Sequence, residues 1–233
     1  IGVWGPRARD IIQSLTDADM SHKQFKFGWA RDINLSDIKV WAFRISYVGD
    51  LGWEIYIPMK HGQAVWDLIA EAGKPHGIVP AGIGVYGTTG RLEKGYRLFG
   101  AELEGEYTPI EAGLMRPKVK SQGFIGKDAL VKLRETDPVT TMCTLTVDNH
   151  QSLNGELRYM LGGEPILSLD GNRIVDAHGR SSYVTSAGSG PSTGKHILMT
   201  YLPPQYAREG TSLLVEYFVS QYPVTVAVAG NGS

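Results

Sequence analysis

The residues with the clearest chemical potential are a phenol and a carboxylate on either side of a short glycine-bearing turn. Tyr47 precedes and Glu54 follows the segment Val-Gly-Asp-Leu-Gly-Trp. Such a turn between two strands can aim both side chains into one cavity, where a carboxylate accepts two parallel hydrogen bonds from an amidine-like N–C–N edge. The pattern leaves a second reading open. If Trp53 and Ile55 face the core, Glu54 faces solvent.

Other common catalytic patterns do not occur in the sequence. The single cysteine, Cys143, cannot form an internal disulfide or a cysteine cluster for zinc, and it alternates as a core strand residue. Gly82, Gly84 and Gly87 match the short dinucleotide-loop pattern, but the strand and the acidic residue that a Rossmann site needs are missing. The histidines are scattered without the spacing of metal ligands, at positions His22, His61, His76, His150, His178 and His196.

Composition places the chain among ordinary globular proteins. It has 233 residues, of which 42% are hydrophobic and 20% charged, and its formal net charge is −1. No basic run indicates a nucleic-acid surface, and no apolar stretch reaches the roughly 18 residues of a membrane span. The start at Ile1 reads as the interior of a strand, so we expect the chain to be part of a longer protein.

Periodicity predicts an α+β fold. Helices are expected over residues 7–15, 61–73 (with Gly73 as C-cap), 88–94 and 126–134, and strands over 29–47 and 53–58. After Asp137-Pro138 the pattern changes to short strands with a hairpin turn at residues 170–172, which indicates a small β-barrel or sandwich. We therefore predict an α+β region over residues 1–137 and a β-barrel over residues 138–233.

Several motifs, in order along nearly the whole chain, resemble the aminomethyltransferase (T-protein) family of the glycine cleavage system. The residues of two of these motifs, those that begin at Arg44 and at Arg91, are most similar to the folate-binding region of dimethylglycine and sarcosine dehydrogenases and oxidases. The motifs are Trp4-Gly-Pro-Arg-Ala, Arg44-x-Ser-Tyr-x-Gly-(acid)-x-Gly-Trp-Glu54, Arg91-Leu-Glu-Lys-Gly-Tyr-Arg97, Thr108-Pro-Ile-Glu-Ala-Gly113 and Phe124-Ile-Gly126. The segments at residues 163–166, 183–186 and 194–197 fit the family's C-terminal barrel.

The resemblance implies a partial T-protein-like folate-binding fold with tetrahydrofolate as cofactor. Glu54 would hold the pterin, whose ring has an N–C–N edge, and Tyr47 would line the same site. Arg91 and Tyr96 are predicted near the folate tail, although Arg91 also suits an ion pair or packing support between helix and turn. The family's catalytic Asp is expected upstream of Trp4, so the catalytic residue in this chain is unknown.

Two departures from the family pattern bear on these expectations. The T-protein's folate-contacting Arg, which the dehydrogenase branch also lacks, is replaced here by Gly87, and an Asp usual in the family is replaced by Thr88. The basic segment at residues 115–121 could line the cavity or form a solvated loop, the usual place for charged connections.

The expected function is capture of a methylene unit from an N-methylated amine of the dimethylglycine or sarcosine type. Two alternatives stay open: a tetrahydrofolate-dependent methyltransferase acting on a sulfonium, betaine or aryl methyl ether, and a non-catalytic folate-binding regulatory protein. The expected partners are the small-molecule methyl donor and a flavin oxidoreductase domain or subunit, with no metal, nucleic acid or membrane. The expected location is the cytoplasm, or the mitochondrial matrix in a eukaryote.

Overall fold

The computed structural model describes residues 1–114 and 119–229, so most of the predicted loop at residues 115–121 lies outside the described residues. The chain divides into two compact units, Ile1–Tyr86 and Gly87–Ser233. The helices are α1 Ala8–Gln13, α2 Gly62–Gly73, α3 Arg91–Glu93 and α4 Lys127–Leu133, with a π-helical turn at Val85–Gly90 and 3-10 turns at Met59–His61 and Lys74–His76. The strands are β1 Gly2–Trp4, β2 Ala30–Leu35, β3 Ile38–Phe43, β4 Gly52–Tyr56, β5 Thr141–Val147, β6 Ile166–Leu167, β7 Val184–Gly190, β8 Lys195–Leu202, β9 Ser212–Tyr217 and β10 Ser220–Ala229.

The first unit is a four-stranded antiparallel sheet in the order β1-β4-β3-β2, with α1 and α2 contributing to one core. Alternate residues of each strand point to opposite faces, so the apolar positions of β3 and β4 share one side. Val40, Ala42, Trp53 and Ile55 are buried there. They pack in one cluster with residues such as Ile12, Met20, Phe25, Val65 and Ile69 from outside these two strands.

The second unit contains a six-stranded antiparallel sheet in the order β6-β9-β10-β5-β8-β7. The two edge strands of this sheet, β6 and β7, are joined beside their first residues. The contacts are a bridge between Pro165 and Tyr183 and a hydrogen bond from the Ile166 amide to the Ser182 carbonyl. The curled sheet therefore forms a barrel, which satisfies edge groups that would otherwise be unpaired. The barrel and the mixed helix–sheet region confirm the predicted fold class.

Most elements lie where periodicity predicted them, and the differences have local causes. Gly73 is the last residue of α2 rather than its cap, and the left-handed residue that follows is Gly77, with φ of 73°. The helix expected from Thr88 is instead a π-helical turn that leads into the short α3, which ends at Glu93 and is followed by the left-handed Gly95 with φ of 64°. The hairpin at residues 170–172 is confirmed by a 2.9 Å hydrogen bond from the Gly171 amide to the Ser168 carbonyl. The boundary at residue 137 stays a prediction.

The hairpin between β9 and β10 has an unusual turn. Tyr217 pairs with Ser220, and the two residues between them, Phe218 and Val219, have φ of 47° and 58°. Both are positive, as a two-residue type I′ turn requires, a conformation that favours Asn and Gly. Phe218 and Val219 are 80% and 96% exposed, so apart from an edge-on contact between the Phe218 and Tyr217 rings, little packing offsets their backbone strain.

We expect the double substitution Phe218→Asn/Val219→Gly to stabilise the protein by about 1 kcal/mol, because it removes left-handed strain without loss of core contacts. The apparent Tm, measured by circular dichroism, should rise by roughly 2–4 °C. Leu169→Asn is the control, since it removes an exposed apolar side chain from a turn residue that lacks a positive φ. An equal rise in the control, or none in the double variant, would contradict the strain argument.

A buried histidine on β8 is expected to make the stability of the barrel depend on pH. His196 is 6% exposed, and its Nε2–H donates to the Met160 carbonyl at 3.0 Å, which leaves the buried Nδ1 without a partner. Its ring lies 6.3 Å from that of His150 and meets Tyr159 edge-on at 5.3 Å. Burial lowers the pKa of His196 and the charge of His150 lowers it further, while the Met160 bond and the charge of Glu164 oppose this.

Stability is expected to fall as pH drops below about 6.5, the ordinary His pKa, and through the lower pKa of folded His196. In that window the unfolded chain binds the proton and the folded chain does not, so protonation favours unfolding. Urea unfolding at several pH values between 8 and 5 measures the slope of the free energy of unfolding against pH. His196→Gln should flatten it, whereas the exposed His178→Gln should not, and an unchanged slope in His196→Gln would refute the assignment.

Candidate functional site

The sheet of the first unit has one face that the core does not cover, and Glu54 lies on it. Trp53 and Ile55 are buried at 0% and 1% exposure, so the alternation of β4 places Glu54 opposite them. In the antiparallel register Glu54 pairs with Gly2 on one side and Phe43 on the other. Glu54 faces away from the core, as the solvent-facing alternative required, but it is half-buried rather than fully exposed.

Aromatic residues share this sheet face with the Glu54 carboxylate. Trp41 pairs with Tyr56 across β3 and β4, and their ring centroids are 5.0 Å apart. Trp41 also lies 5.7 Å from Phe43. Flat apolar rings around a carboxylate suit a planar heteroaromatic ligand, because the rings offer stacking surface and the carboxylate accepts hydrogen bonds from the ligand edge.

The phenol of Tyr56 donates a hydrogen bond of 2.6 Å to Oε2 of Glu54. The two residues are two apart on β4 and therefore project from the same face. This bond raises the pKa of Tyr56, and burial and the charge of Glu54 add to the effect. A tyrosine phenol is protonated at neutral pH, so Tyr56 is the donor in this bond.

Tyr47 contacts the ring of Tyr86, which in turn lies near Glu54. The Tyr47 and Tyr86 rings are 4.9 Å apart, and Tyr86 lies 5.4 Å from Trp4. Burial raises the pKa of Tyr86, and the nearby charge of Glu54 raises it further, which places this phenol within the field of the carboxylate. The predicted pair Tyr47 and Glu54 thus belongs to one aromatic cluster.

The turn between Tyr47 and Glu54 is held by close backbone packing. Gly49 has φ of 82°, a left-handed value that glycine adopts without strain. A Cβ on Gly52 would lie 2.1 Å from the Val3 carbonyl oxygen and 2.5 Å from the Trp4 ring. Only glycine therefore lets β4 approach β1 here, and that approach brings Trp4 towards Glu54.

Arg44, the first residue of the motif that ends at Glu54, is buried on the core side of the sheet, opposite the face that carries Glu54. It is 8% exposed, and its Nη1 donates to the Phe25 carbonyl at 2.6 Å and contacts Nδ1 of His22 at 3.0 Å. Its guanidinium lies 5.7 Å from the centre of the Trp53 ring, a cation–π distance. Arg44 thus braces the loop before β2 against the core side of β4.

Arg91 lies in the interior of the second unit. It is 2% exposed and forms an ion pair with the fully buried Glu102 at 3.0 Å. The guanidinium also donates from Nη2 to Ser186 Oγ at 2.7 Å, from Nε to the Gly87 carbonyl at 2.7 Å and from Nη1 to the Tyr96 carbonyl at 3.2 Å. This geometry matches the ion-pair alternative noted from sequence. Contact of Arg91 with a folate tail stays a prediction.

Tyr96 follows the short helix α3 and is tied to Arg91 through the backbone. Its amide donates to the Arg91 carbonyl at 2.8 Å, while its ring is 38% exposed. Tyr96 therefore offers an aromatic surface on the second unit, whereas Tyr47 and Glu54 lie on the first. Its assignment to cofactor binding also stays a prediction.

Sequence reasoning missed the aromatic residues around Glu54, namely Trp4, Trp41, Phe43, Tyr56 and Tyr86. Strand alternation carried a usable signal for three of them. Trp41 and Phe43 alternate with the core residues of β3, and Tyr56 is two residues after Glu54. Trp4 and Tyr86 are distant in sequence, so no local pattern indicates that they approach the carboxylate.

The described residues contain neither a metal-binding group of side chains nor a helix that could span a membrane. Across residues 1–114 and 119–229, no three His, Cys, Asp or Glu side chains group closely enough to hold a metal ion. Over the same residues, no helix combines the length and apolarity needed to cross a bilayer.

The described architecture is that of an α+β protein with a barrel, and comparison with known proteins specifies the family. Residues 1–120 match the GCVT N-terminal domain and residues 144–229 match the glycine cleavage T-protein C-terminal barrel domain. The chain belongs to this glycine cleavage T-protein family, which confirms the resemblance found in the sequence. Aminomethyltransferases of the family use tetrahydrofolate, the cofactor that the resemblance implied.

Individual relatives agree with this placement. An aminomethyltransferase of Caldanaerobacter subterraneus is 32% identical over 233 residues, covering 98% of this chain and 56% of that protein. Mitochondrial dimethylglycine dehydrogenase of Mus musculus is 33% identical over 230 residues, covering 97% of this chain and 24% of that protein. The chain therefore spans about half the length of the first relative and about a quarter of the second.

A solved structure shares the fold. The crystal structure of glycine cleavage system aminomethyltransferase T from Bartonella henselae superposes with a TM-score of 0.77 at 22% identity. The match covers 96% of this chain and 56% of that one. It supports the arrangement of a mixed helix–sheet region followed by a barrel.

Proposed function

We propose that this chain binds tetrahydrofolate and takes part in transfer of a one-carbon unit. The observation that carries the proposal is the Glu54 carboxylate on an aromatic sheet face, anchored by a 2.6 Å hydrogen bond from Tyr56. A pterin is a planar ring whose N–C–N edge donates two parallel hydrogen bonds, and a carboxylate accepts both. Family membership supports the same ligand.

The residues of this chain bind and orient rather than react. Glu54 holds the pterin edge, and Tyr47 lines the same site. Trp41, Tyr86 and Trp4 supply apolar surface that excludes water from one side of the ring. When bound, tetrahydrofolate supplies the nucleophilic nitrogen N5 that captures the one-carbon unit. Fixed orientation of a nucleophile is a large source of rate enhancement.

For the donor, we propose an N-methylated amine of the dimethylglycine or sarcosine type. The 33% identity to dimethylglycine dehydrogenase over 97% of this chain supports this choice, as does Gly87 where the T-protein has Arg. A flavin oxidoreductase domain or subunit would then generate the oxidised amine. Aminomethyl transfer is the second candidate, supported by the 32% identity to an aminomethyltransferase.

Two further expectations remain part of this proposal. The functional division of the chain falls near residue 137, between the α+β region and the barrel. The expected compartment is the cytoplasm, or the mitochondrial matrix in a eukaryote, as in the mitochondrial dimethylglycine dehydrogenase relative.

The proposal is tested by titrating the full chain with tetrahydrofolate in a calorimeter under anaerobic conditions. Saturable binding is expected, and absence of binding would refute the proposal.

Product analysis with a labelled methyl donor and the full-length protein then separates the donor classes. A labelled methylene product supports the amine donor, whereas a labelled methyl product supports a sulfonium, betaine or aryl ether. Binding without any product would favour a regulatory protein.

A further inference from the structure

Glu54 does not stand alone on its sheet face, because one of two neighbouring phenols is bonded to it. The Tyr56 hydroxyl donates to Glu54 Oε2 at 2.6 Å. Tyr86 also lies within the field of Glu54, but its hydroxyl makes no hydrogen bond to a described residue. The two phenols therefore differ in a way that can be tested, since only one can restrain the carboxylate.

A restrained carboxylate matters for the contact proposed above. The last torsion of a glutamate side chain is broad and nearly two-fold, so a free carboxylate samples many planes. Two parallel hydrogen bonds to a flat ring edge require the carboxylate to lie close to the plane of that ring. One lone pair of Oε2 accepts from Tyr56, and each oxygen keeps a further lone pair for a ligand.

The phenol is itself held in place. Trp41 lies across the strand pair from Tyr56, with ring centroids 5.0 Å apart and planes at 57°. Trp41 also contacts Phe43, the cross-strand neighbour of Glu54. Trp41 thus packs beside the phenol and restricts its movement on the sheet face that carries Glu54.

We propose that Tyr56 is a positioning residue that fixes the Glu54 carboxylate in the plane needed to bind a pterin edge. The inference rests on the proposed function, because Glu54 must contact the ligand for its orientation to matter. Tyr56 acts through Glu54 and needs no contact of its own with the ligand.

The experiment is a double-substitution cycle on tetrahydrofolate affinity, measured by calorimetry on the full chain. Tyr56→Phe is expected to weaken binding about threefold to tenfold, the usual range for loss of one hydrogen bond. In the Glu54→Gln background the same change should alter affinity by less than about twofold, because residues that act together are not additive. Tyr86→Phe should have equal effects in both backgrounds.

A spectroscopic measurement separates positioning from general support of the fold. The phenol titration of Tyr56, followed by NMR on labelled tyrosine, should shift to lower pH in Glu54→Gln, because the bond to Glu54 raises the pKa of Tyr56. Circular dichroism confirms that each variant is folded.

The outcomes distinguish the two proposals. If the unsubstituted chain does not bind tetrahydrofolate, the proposed function fails and the role of Tyr56 fails with it. If Glu54→Gln weakens binding while Tyr56→Phe does not, or if Tyr56→Phe has the same effect in both backgrounds, only the positioning role is overturned. A coupled loss confined to Tyr56 and Glu54 supports it.

Discussion

Replacing Arg91 by methionine is expected to lower the free energy of unfolding by about 3–5 kcal/mol, the usual effect of removing one partner from a buried ion pair. Both side chains of the pair are buried, Arg91 at 2% and Glu102 at 0% exposure. The Glu102 carboxylate also accepts from the Leu98 amide at 2.8 Å and from the Thr185 hydroxyl at 2.7 Å, but without the guanidinium it loses its buried ion-pair partner. An uncompensated charge in the interior is strongly destabilising.

The measurement is urea unfolding followed by circular dichroism. Arg91→Lys should also be destabilised, because one ammonium cannot replace the several directed hydrogen bonds of the guanidinium. Arg7→Met is the control, since Arg7 forms a 2.9 Å ion pair with Asp10 in which both side chains are at least half exposed. Such surface pairs contribute less than about 1 kcal/mol. A comparable loss in the two methionine variants would contradict the assigned role of Arg91.

The substitution Glu54→Gln is expected to weaken tetrahydrofolate binding by about tenfold or more. Hydrogen bonds to a charged group contribute ~1.5–3 kcal/mol, and the amide presents one donor where the ligand edge needs an acceptor. Because Glu54 is only half-buried on an uncovered face, the fold itself should tolerate the change. Calorimetry measures the affinity, and thermal unfolding checks that stability is retained.

Glu71→Gln is the matched control for Glu54. Glu71 lies in the same unit on α2, where it is exposed and paired with Lys74. Its substitution should leave the affinity unchanged. An unaltered affinity in Glu54→Gln would exclude Glu54 as the pterin ligand, even if the chain binds tetrahydrofolate.

The local parts of this site could be predicted from sequence because alternation reports which face a strand residue occupies. Glu54 lies opposite the core side of β4, as alternation requires once Trp53 and Ile55 face the core. The aromatic surroundings could not be predicted, because they depend on the antiparallel register that sets Trp41 opposite Tyr56 and on the approach of Tyr86 to Trp4. Register and long-range packing are not encoded in a single periodic pattern.

The π-helical turn and the interior position of Arg91 also could not be predicted from local sequence patterns. The π-helical turn at Val85–Gly90 contains glycines that weaken any helical prediction, so its form depends on packing. A Cβ on Gly188 would lie 2.1 Å from the Thr88 carbonyl oxygen, which shows how closely β7 approaches this turn. The interior role of Arg91 likewise depends on Glu102 and Ser186, which lie 11 and 95 residues away.

The division into two compact units has a practical result for spectroscopy. All five tryptophans, at positions 4, 29, 41, 53 and 66, fall within Ile1–Tyr86, so Gly87–Ser233 contains none. Intrinsic tryptophan fluorescence is therefore a natural label for the first unit alone. Trp41, which is 42% exposed beside Tyr56, should report ligand quenching at the Glu54 face, while the barrel stays optically silent at the same wavelength.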